Sequence, residues 1–259
     1  MAFYIGGNKF TARIHDGSTS EKAAPSLTEL AQSGKKDNGL YWINPSDQFS
    51  EPIQLYCDFD YEANEAFALI IANRMSTGGV NNGFYVDGTG SPTSYTNVSY
   101  TNAVNMVNYK GTYDKSLGFN LFVGTKYYEH LGREIVQFVS PSAVTLSDFS
   151  NHTKRFKWGF TGMSTSYAFQ GAFSIDDETG TGQPGFFSYH AVNSYNLSAY
   201  DRDQDVHSGN CSTSYGSHPW WFGACWDGNY FGHNNGPYWA GSSSDNHNYG
   251  AVYIGGRIS

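Results

Sequence analysis

The acidic run at residues 201–205 is the part of the sequence whose residue types and spacing most directly indicate a chemistry. Three carboxylates alternate there with other polar side chains: Asp201, Arg202, Asp203, Gln204 and Asp205. Such a run is typical of a hard-cation loop, because Ca²⁺ binds about six to eight oxygens from carboxylates and carbonyls. The loop is not an EF-hand, since Val206 and Ser212 stand where that motif needs glycine and glutamate. The alternative is a solvated turn that carries three carboxylates.

The distribution of charge also favours a cation site in this part of the chain. The formal net charge is −8, no lysine follows Lys157, and the later basic side chains apart from histidine are Arg202 and Arg257. A protein that binds the phosphate backbone of a nucleic acid needs a basic face, so the composition argues against that class. A solvated acidic surface is the other interpretation of these charges.

Motifs typical of enzymes and membrane proteins are missing from the sequence. It contains no nucleophile elbow, zinc-protease helix, P-loop or dinucleotide fingerprint. Asp58 and Asp60 are a pair of the kind that glycoside hydrolases use, but polar decoration of a strand explains them more economically. We therefore predict no enzymatic activity. No apolar run is long enough to cross a membrane, and residues 1–10 lack the features of a signal peptide.

The three cysteines, Cys57, Cys211 and Cys225, cannot all pair within one chain. A bridge between the last two would close a loop of about 15 residues, which stabilises a fold by roughly 3 kcal/mol. It would also imply exposure to an oxidising medium. The sequence has no Cys-x-x-Cys spacing and so does not indicate metal binding by thiols. Cys57 lies in a strand-like run, and we expect it to be a small buried side chain.

The elements that must position the acidic run are mostly short strands. Apolar or alternating runs between turn residues predict strands at 39–44, 53–59, 66–72, 119–123 and 134–139. One amphipathic helix is predicted at 25–33, and a weaker helical pattern occurs at 141–151. Loop residues dominate after Thr161. We predict a short N-terminal arm over residues 1–24 and one domain over residues 25–259.

The order of motifs around the acidic run resembles the C-terminal half of fibrinogen-related domains. The shared elements are an aromatic-Asp-x-Asp-x-Asp loop, Gly-Asn-Cys, a Trp-Trp pair, a second cysteine and Asn-x-x-Gly, found here at 200–205, 209–211, 220–221, 225 and 229–232. The N-terminal half matches more loosely, over 27–34, 39–45 and 56–59. The resemblance implies an α+β fold: a single fibrinogen-like domain with a twisted, mainly antiparallel sheet, few short helices and a loop-rich C-terminal third.

The resemblance also implies a calcium site with a ligand pocket beside it. Asp203 and Asp205 would bind Ca²⁺ through their side chains, and His207 and Gly209 through their carbonyls. A disulfide would join Cys211 to Cys225, directly after a cis peptide bond at Ala224-Cys225. The ligand-binding residues would be Tyr215, His218, Ala224, Cys225, Trp226, Tyr230, Tyr238 and Trp239. The sequence departs from the family after Gly232, where the segment before Trp239 is shorter than usual.

These features predict a calcium-dependent, carbohydrate-binding structural protein of a phage virion, in a fibre, the tail or the capsid surface. It would attach the particle to a host cell-surface glycan, contact other virion proteins and form a homotrimer, with no nucleic acid partner and no membrane insertion. The virion surface is favoured by the missing leader and by a composition rich in Gly, Ser, Asn and Tyr. The alternatives are a secreted, extracellular fibrinogen-like lectin or recognition protein, and a purely structural decoration module with no glycan ligand.

Overall fold

An antiparallel sheet of eight strands forms the centre of the protein in the computed structural model. The structure describes residues 2–5, 8–11, 15–44, 51–74, 99–105, 121–140, 154–179, 195–214, 218–225 and 249–258. The strands are β1 (Ala2–Ile5), β2 (Asn8–Thr11), β3 (Gly39–Ile43), β4 (Ile53–Asp58), β5 (Glu65–Arg74), β6 (Leu121–Phe122), β7 (Glu134–Ser140), β8 (Lys154–Gly159), β9 (Gly162–Met163), β10 (Phe169–Gln170), β11 (Phe173–Thr179) and β12 (Tyr249–Arg257). The helices are α1 (Leu27–Gln32), α2 (Tyr100–Asn105), α3 (Tyr128–Leu131) and α4 (Cys211–Ser214), with 3₁₀ turns at Ser20–Lys22 and Thr125–Tyr127. The predicted architecture, mainly antiparallel with few short helices, is confirmed.

The strand order of the central sheet is β11-β8-β7-β12-β5-β4-β3, and β6 also pairs with β5. The late strand β12 is antiparallel to both of its neighbours, β5 and β7. A Cβ atom at Gly255 in β12 would overlap the carbonyl oxygen of Ala66 in β5. Only glycine allows the two backbones to approach this closely.

The ends of several elements differ from the prediction for local reasons. Strand β5 is longer than predicted, and Ala66 to Ala72 are all fully buried, which explains an apolar run without alternation. Strand β6 ends at Phe122, one residue before the predicted end of the 119–123 strand, whose first two residues lie outside the described residues. Helix α1 begins at Leu27 rather than Pro25, because the Ser26 hydroxyl accepts a hydrogen bond from the Glu29 N–H at 3.0 Å and caps the helix. The predicted helix at 141–151 lies outside the described residues.

The last residues of the predicted N-terminal arm pack against the sheet. Ala24 forms a parallel bridge with Ile43 of β3, and Ala23 and Ala24 are both buried. The backbone N–H of Trp42 donates to the carbonyl of Gly17 at 2.9 Å. Residues 17–24 therefore extend the structure beyond the β3 edge of the sheet.

A cluster of aromatic side chains joins the C-terminal segment 218–225 to the rest of the core. Trp221 is buried, with its ring centroid 5.4 Å from that of Phe169 and 6.1 Å from that of Tyr128. Its indole Nε1 donates to the carbonyl of Tyr167 at 2.6 Å. Trp220 is also buried. In the described part of the chain, no helix is both long and apolar enough to cross a membrane.

One charged cluster is buried in the sheet. The Lys157 ammonium group lies 2.7 and 2.8 Å from the two carboxylate oxygens of Glu65. It also lies 3.3 Å from Glu134 and 3.8 Å from the more exposed Glu62. Burial alone lowers the pKa of Lys157, but the three carboxylates outweigh it and raise the pKa above its ordinary value. Lys157 is therefore a buried cation that its neighbours keep charged.

Candidate functional site

The acidic run lies in a loop that is anchored to buried backbone. Ser198 and Trp220 exchange two backbone hydrogen bonds, of 2.9 and 3.0 Å. Gln204, inside the acidic run, donates from its backbone to the Ser198 hydroxyl at 2.9 Å and from its side chain to the carbonyl of Leu197 at 2.6 Å. The loop is thus attached to the same segment that carries the buried tryptophans.

Asn210 closes the other end of the loop. Its side-chain amide donates to the carbonyl of Ala199 at 3.1 Å, and its side-chain oxygen accepts from the Thr213 N–H at 3.0 Å. The second contact caps helix α4, which is the usual role of an asparagine before a helix. The Gly-Asn-Cys motif is recognisable in the sequence, but it indicates neither this function of Asn210 nor the anchoring role of Gln204.

The carboxylate of Asp205 connects the loop to the start of α4. Its Oδ1 accepts from the His207 N–H and its Oδ2 from the Cys211 N–H, each at 2.9 Å. Asp203 Oδ1 accepts from the Asp205 N–H at 3.3 Å, which brings the two aspartates together. Burial, together with repulsion by Asp203, raises the pKa of the Asp205 carboxyl, although its bonds to the Cys211 and His207 N–H groups act in the opposite direction.

The two residues predicted to supply carbonyl ligands follow in the same exposed loop. The Nδ1 atom of His207 lies 3.1 Å from both the carbonyl oxygen and the backbone nitrogen of Gly209. One loop therefore contains all four predicted ligands: Asp203, Asp205, His207 and Gly209. All of the oxygens in this set are of the kind that Ca²⁺ prefers.

Asp201 has a different role from the other two aspartates. Its Oδ1 accepts from the backbone N–H of Tyr100 at 2.7 Å, at the start of helix α2. The guanidinium of the next residue, Arg202, lies 4.1 Å from the centre of the Tyr100 ring. Asp201 therefore holds the first turn of a helix that is distant in the sequence.

The disulfide between Cys211 and Cys225 is present, with the two Cα atoms 5.0 Å apart. Cys57 is a buried free cysteine, as predicted. The prediction of a cis peptide bond at Ala224-Cys225 is wrong, since no peptide bond among the described residues is cis. Cys225 instead has a positive φ of 75°, which is uncommon for any residue except glycine. The left-handed conformation of Cys225 makes the sharp turn at this point.

The predicted ligand-binding residues are only partly described. Ala224 is exposed and Cys225 is half-buried, beside the acidic loop. His218 is fully buried, with its ring 5.5 Å from that of Phe222, so it contributes to packing rather than to an open wall. The remaining predicted residues, which lie outside the described part of the chain, are Tyr215, Trp226, Tyr230, Tyr238 and Trp239.

Two exposed apolar side chains flank the acidic run and were not predicted. Tyr200 is 37% exposed and Val206 is 67% exposed. Each adjoins the 201–205 run in the sequence, so the loop combines carboxylates with apolar surface. The aromatic residue before the first aspartate was part of the recognised motif and was the signal that could have identified Tyr200.

Asp58 and Asp60, the carboxylate pair considered for catalysis, have a structural partner. The side-chain amide of Asn38 donates to Asp58 at 2.9 Å and to Asp60 at 2.7 Å. Asp58 is fully buried rather than exposed, and it also accepts from the Asp60 N–H at 3.0 Å. Through Asn38, the two aspartates connect the end of β4 to the residue that precedes β3.

The sequence and the structure are both similar to known proteins. Residues 147–255 match the family of fibrinogen beta and gamma chains, C-terminal globular domain. The fibrinogen-like globe domain of human ANGPTL2 superposes with a TM-score of 0.58 at 17% identity, over 89% of this chain and 97% of that chain. The corresponding domain of human ANGPTL6 gives a TM-score of 0.59 at 19% identity, over 92% and 97%.

A fibrin structure is similar to the same degree. Lamprey fibrin D-dimer, complexed with the peptide ligand Gly-His-Arg-Pro-amide, superposes with a TM-score of 0.59 at 17% identity, over 92% of this chain and 76% of that chain. No curated protein sequence matches the chain significantly. At these identities the structural similarity establishes the fold.

Proposed function

Because the chain folds as a fibrinogen-like domain and matches that family in sequence over residues 147–255, we propose that it is a calcium-dependent recognition protein that binds surface carbohydrate through its acidic loop. Fibrinogen-like domains are generally binding modules without enzymatic activity, and they are typically extracellular. The finer proposal of calcium and glycan binding depends on the residues of the loop itself.

The observation that carries the proposal is the hydrogen bond from the Asp205 backbone N–H to the Asp203 carboxylate, which joins the two aspartates in an exposed, anchored loop. Both Asp205 oxygens already accept one N–H each, which fixes the orientation of the carboxylate and leaves a lone pair on each oxygen. Burial and, to a smaller extent, repulsion by Asp203 raise the pKa of Asp205, and a bound cation would offset that repulsion. The donor set fits Ca²⁺, with the carbonyls of His207 and Gly209 as the further ligands and water completing the shell.

Surface next to the loop is suited to a sugar. Tyr200 and Val206 are exposed apolar side chains on either side of the carboxylates. Aromatic and apolar faces stack on the C–H surfaces of sugars, while polar groups nearby orient the hydroxyls. The lack of lysine after Lys157 disfavours phosphorylated or sialylated ligands. The proposed ligand is therefore a neutral or amino sugar, bound weakly at each site and strengthened by multiple copies.

A peptide is the second candidate ligand. The lamprey fibrin D-dimer, which has the same fold, is complexed with a four-residue peptide amide. A basic peptide would also complement the excess of carboxylates in this part of the chain.

Calorimetry of Ca²⁺ binding tests the cation site. We expect the Asp203→Asn, Asp205→Asn double variant to bind Ca²⁺ at least about tenfold more weakly, which corresponds to a loss of about 1.4 kcal/mol or more. Asp37→Asn is the matched control, because Asp37 is an exposed aspartate outside the loop, and its affinity should equal that of the wild type. Equal affinity in the double variant would refute the calcium proposal.

A glycan array, run once with Ca²⁺ and once with a chelator, tests the ligand. Binding that needs Ca²⁺ and is lost in the double variant supports the proposal. A parallel panel of short basic peptides distinguishes the second candidate. Binding to neither panel, with Ca²⁺ binding intact, would make the domain a structural module.

The proposed setting is the surface of a phage virion, where the domain would contact other virion proteins and act as a homotrimer. The secreted, extracellular alternative places the same site on an animal-type lectin. Both settings agree with the Cys211–Cys225 disulfide, because disulfides persist in oxidising media. Detection of the protein in purified particles by immuno-electron microscopy, with light scattering for the oligomeric state, separates the two.

A further inference from the structure

The disulfide and one imidazole form a group of side chains that the calcium proposal does not use. Suitable ligand atoms of His207, Cys211 and Cys225 all lie within 4.8 Å of one another. His207 is exposed and Cys225 is half-buried, so solvent reaches the group, while Cys211 is fully buried at the start of α4. Two sulfurs and an imidazole nitrogen are the ligand types that Zn²⁺ selects.

We propose that the reduced form of this protein binds Zn²⁺ through the thiolates of Cys211 and Cys225 and the imidazole of His207. The ion occupies the place of the disulfide and keeps the loop between the two cysteines closed in a reducing medium. Water supplies the fourth ligand of the tetrahedral site. The proposal is independent of the proposed glycan and calcium binding, since it uses nitrogen and sulfur atoms and applies only after reduction.

Zinc replaces the disulfide in two steps, reduction of the bond and binding of the metal. A dithiol donor transfers two electrons and two protons to the Cys211–Cys225 bond, and its own sulfurs pair as a disulfide. Reduction thus converts Cys211 and Cys225 into two thiols. Zn²⁺ then displaces both thiol protons, because the thiolate is the form of cysteine that binds metal. Neither the protein nor the metal changes its oxidation state in the second step.

The geometry requires little movement of the chain. The two cysteine Cα atoms are 5.0 Å apart. Zinc–sulfur bonds of about 2.3 Å place two tetrahedral ligands about 3.8 Å apart, which rotation of two cysteine side chains on this backbone can provide. Helix α4 and the hydrogen bond from Cys211 N–H to Asp205 keep the Cys211 backbone in position.

The imidazole of His207 already has the partner that a zinc ligand needs. Its Nδ1 lies 3.1 Å from the carbonyl oxygen of Gly209. A histidine that binds metal through one ring nitrogen usually donates the other N–H to a carbonyl or carboxylate, which fixes the tautomer. In the tautomer with the proton on Nδ1, this N–H donates to the Gly209 carbonyl and Nε2 carries the lone pair for the metal, whereas the other tautomer accepts from the Gly209 N–H. Zinc binding through Nε2 selects the first tautomer.

Titration with Co²⁺, which reports thiolate coordination by its absorption, tests the proposal on the full chain. Every sample carries Cys57→Ala, so that the buried free thiol cannot contribute. After reduction by a phosphine, we expect one Co²⁺ per chain with thiolate-to-metal charge-transfer bands, bleached by one equivalent of Zn²⁺. The disulfide form should show no such bands. Equal binding by the oxidised chain, or no bands in the reduced chain, would overturn the proposal.

Variants of the three ligands identify the site. His207→Ala should weaken Co²⁺ binding more than about 100-fold, beyond the 10–100-fold loss typical of residues that only support a ligand. His15→Ala is the matched control, and it should bind as tightly as the parent. Cys211→Ser should abolish the charge-transfer bands. Unchanged binding in His207→Ala overturns the proposed ligand set.

Near-UV circular dichroism distinguishes a metal site in the folded protein from metal binding by an unfolded chain. The buried Trp220 and Trp221 lie in the same described segment, 218–225, as Cys225 and report its packing. If reduction weakens their signal, stoichiometric Zn²⁺ should restore it to the level of the disulfide form. Binding of metal without that recovery contradicts a site built by the fold.

Discussion

Replacement of Lys157 by methionine tests how the buried charge cluster stabilises the sheet. The Lys157 ammonium pairs with both oxygens of Glu65 and lies within 4 Å of Glu134 and Glu62. Only 4% of the Lys157 side chain and 7% of the Glu65 side chain are exposed to solvent. Methionine keeps the volume of the aliphatic stem but leaves the Glu65 carboxylate without its cation.

The expected loss is about 3–5 kcal/mol of the free energy of unfolding, because removal of one partner leaves an uncompensated buried charge. That is a large part of the roughly 5–15 kcal/mol that typically separates folded from unfolded domains. The loss should shrink at acidic pH. Without the cation, burial raises the pKa of Glu65 further, so the carboxyl becomes neutral at a higher pH and the penalty disappears.

Urea denaturation at neutral and acidic pH measures both effects. The double variant Lys157→Met, Glu65→Leu should recover most of the loss, since no buried charge remains at either position. Lys22→Met is the control, because Lys22 is exposed and its replacement should change stability by no more than about 0.5 kcal/mol. A loss below about 1 kcal/mol in Lys157→Met, or a double variant no more stable than the single, would refute the reasoning.

Three further predictions concern the loop and the cysteines. A thiol reagent should label no cysteine in the native protein and one after denaturation without reductant, since Cys57 is buried and burial raises its pKa; three labelled thiols would contradict the disulfide. Asp201→Ala should cost about 1 kcal/mol in urea denaturation, because it removes the acceptor of the Tyr100 N–H at the start of α2, and a loss no larger than that of Asp203→Ala would contradict this role. Calorimetric Ca²⁺ affinity should fall as the pH is lowered and Asp205, whose pKa is raised by burial and by Asp203, takes up a proton. Asp203→Asn should move that fall to lower pH, and an unmoved transition would show that Asp203 does not repel Asp205.

The fold was largely predictable because local patterns and core packing agree. Strands β3, β4 and β7 begin where their apolar runs begin, and the α1 prediction was wrong by only two residues at its start. The order of the strands in the sheet was not predictable. The position of β12 between β5 and β7 depends on contacts between residues far apart in the sequence, which periodicity does not report.

The site was predictable where the motif itself carries the chemistry. The disulfide followed from the family pattern. The partner of Asp201, the Tyr100 N–H, could not be inferred because α2 lies in a part of the chain without a recognisable motif. The grouping of His207 with the two cysteines was missed because ligand spacing of the zinc-finger type is absent and the fold brings the residues together.

The position of strand β12 has a consequence for how the protein is made. Residues 249–257 are synthesised long after β5 and β7, yet they separate these two strands in the sheet. Until β12 emerges from the ribosome, the nascent chain carries two apolar strands with unpaired edges and is prone to misassociate. A nonsense mutation before residue 249 would therefore split the sheet in two rather than trim its border. Productive folding therefore has to wait until residues 249–257 are available, when one strand inserts between two others.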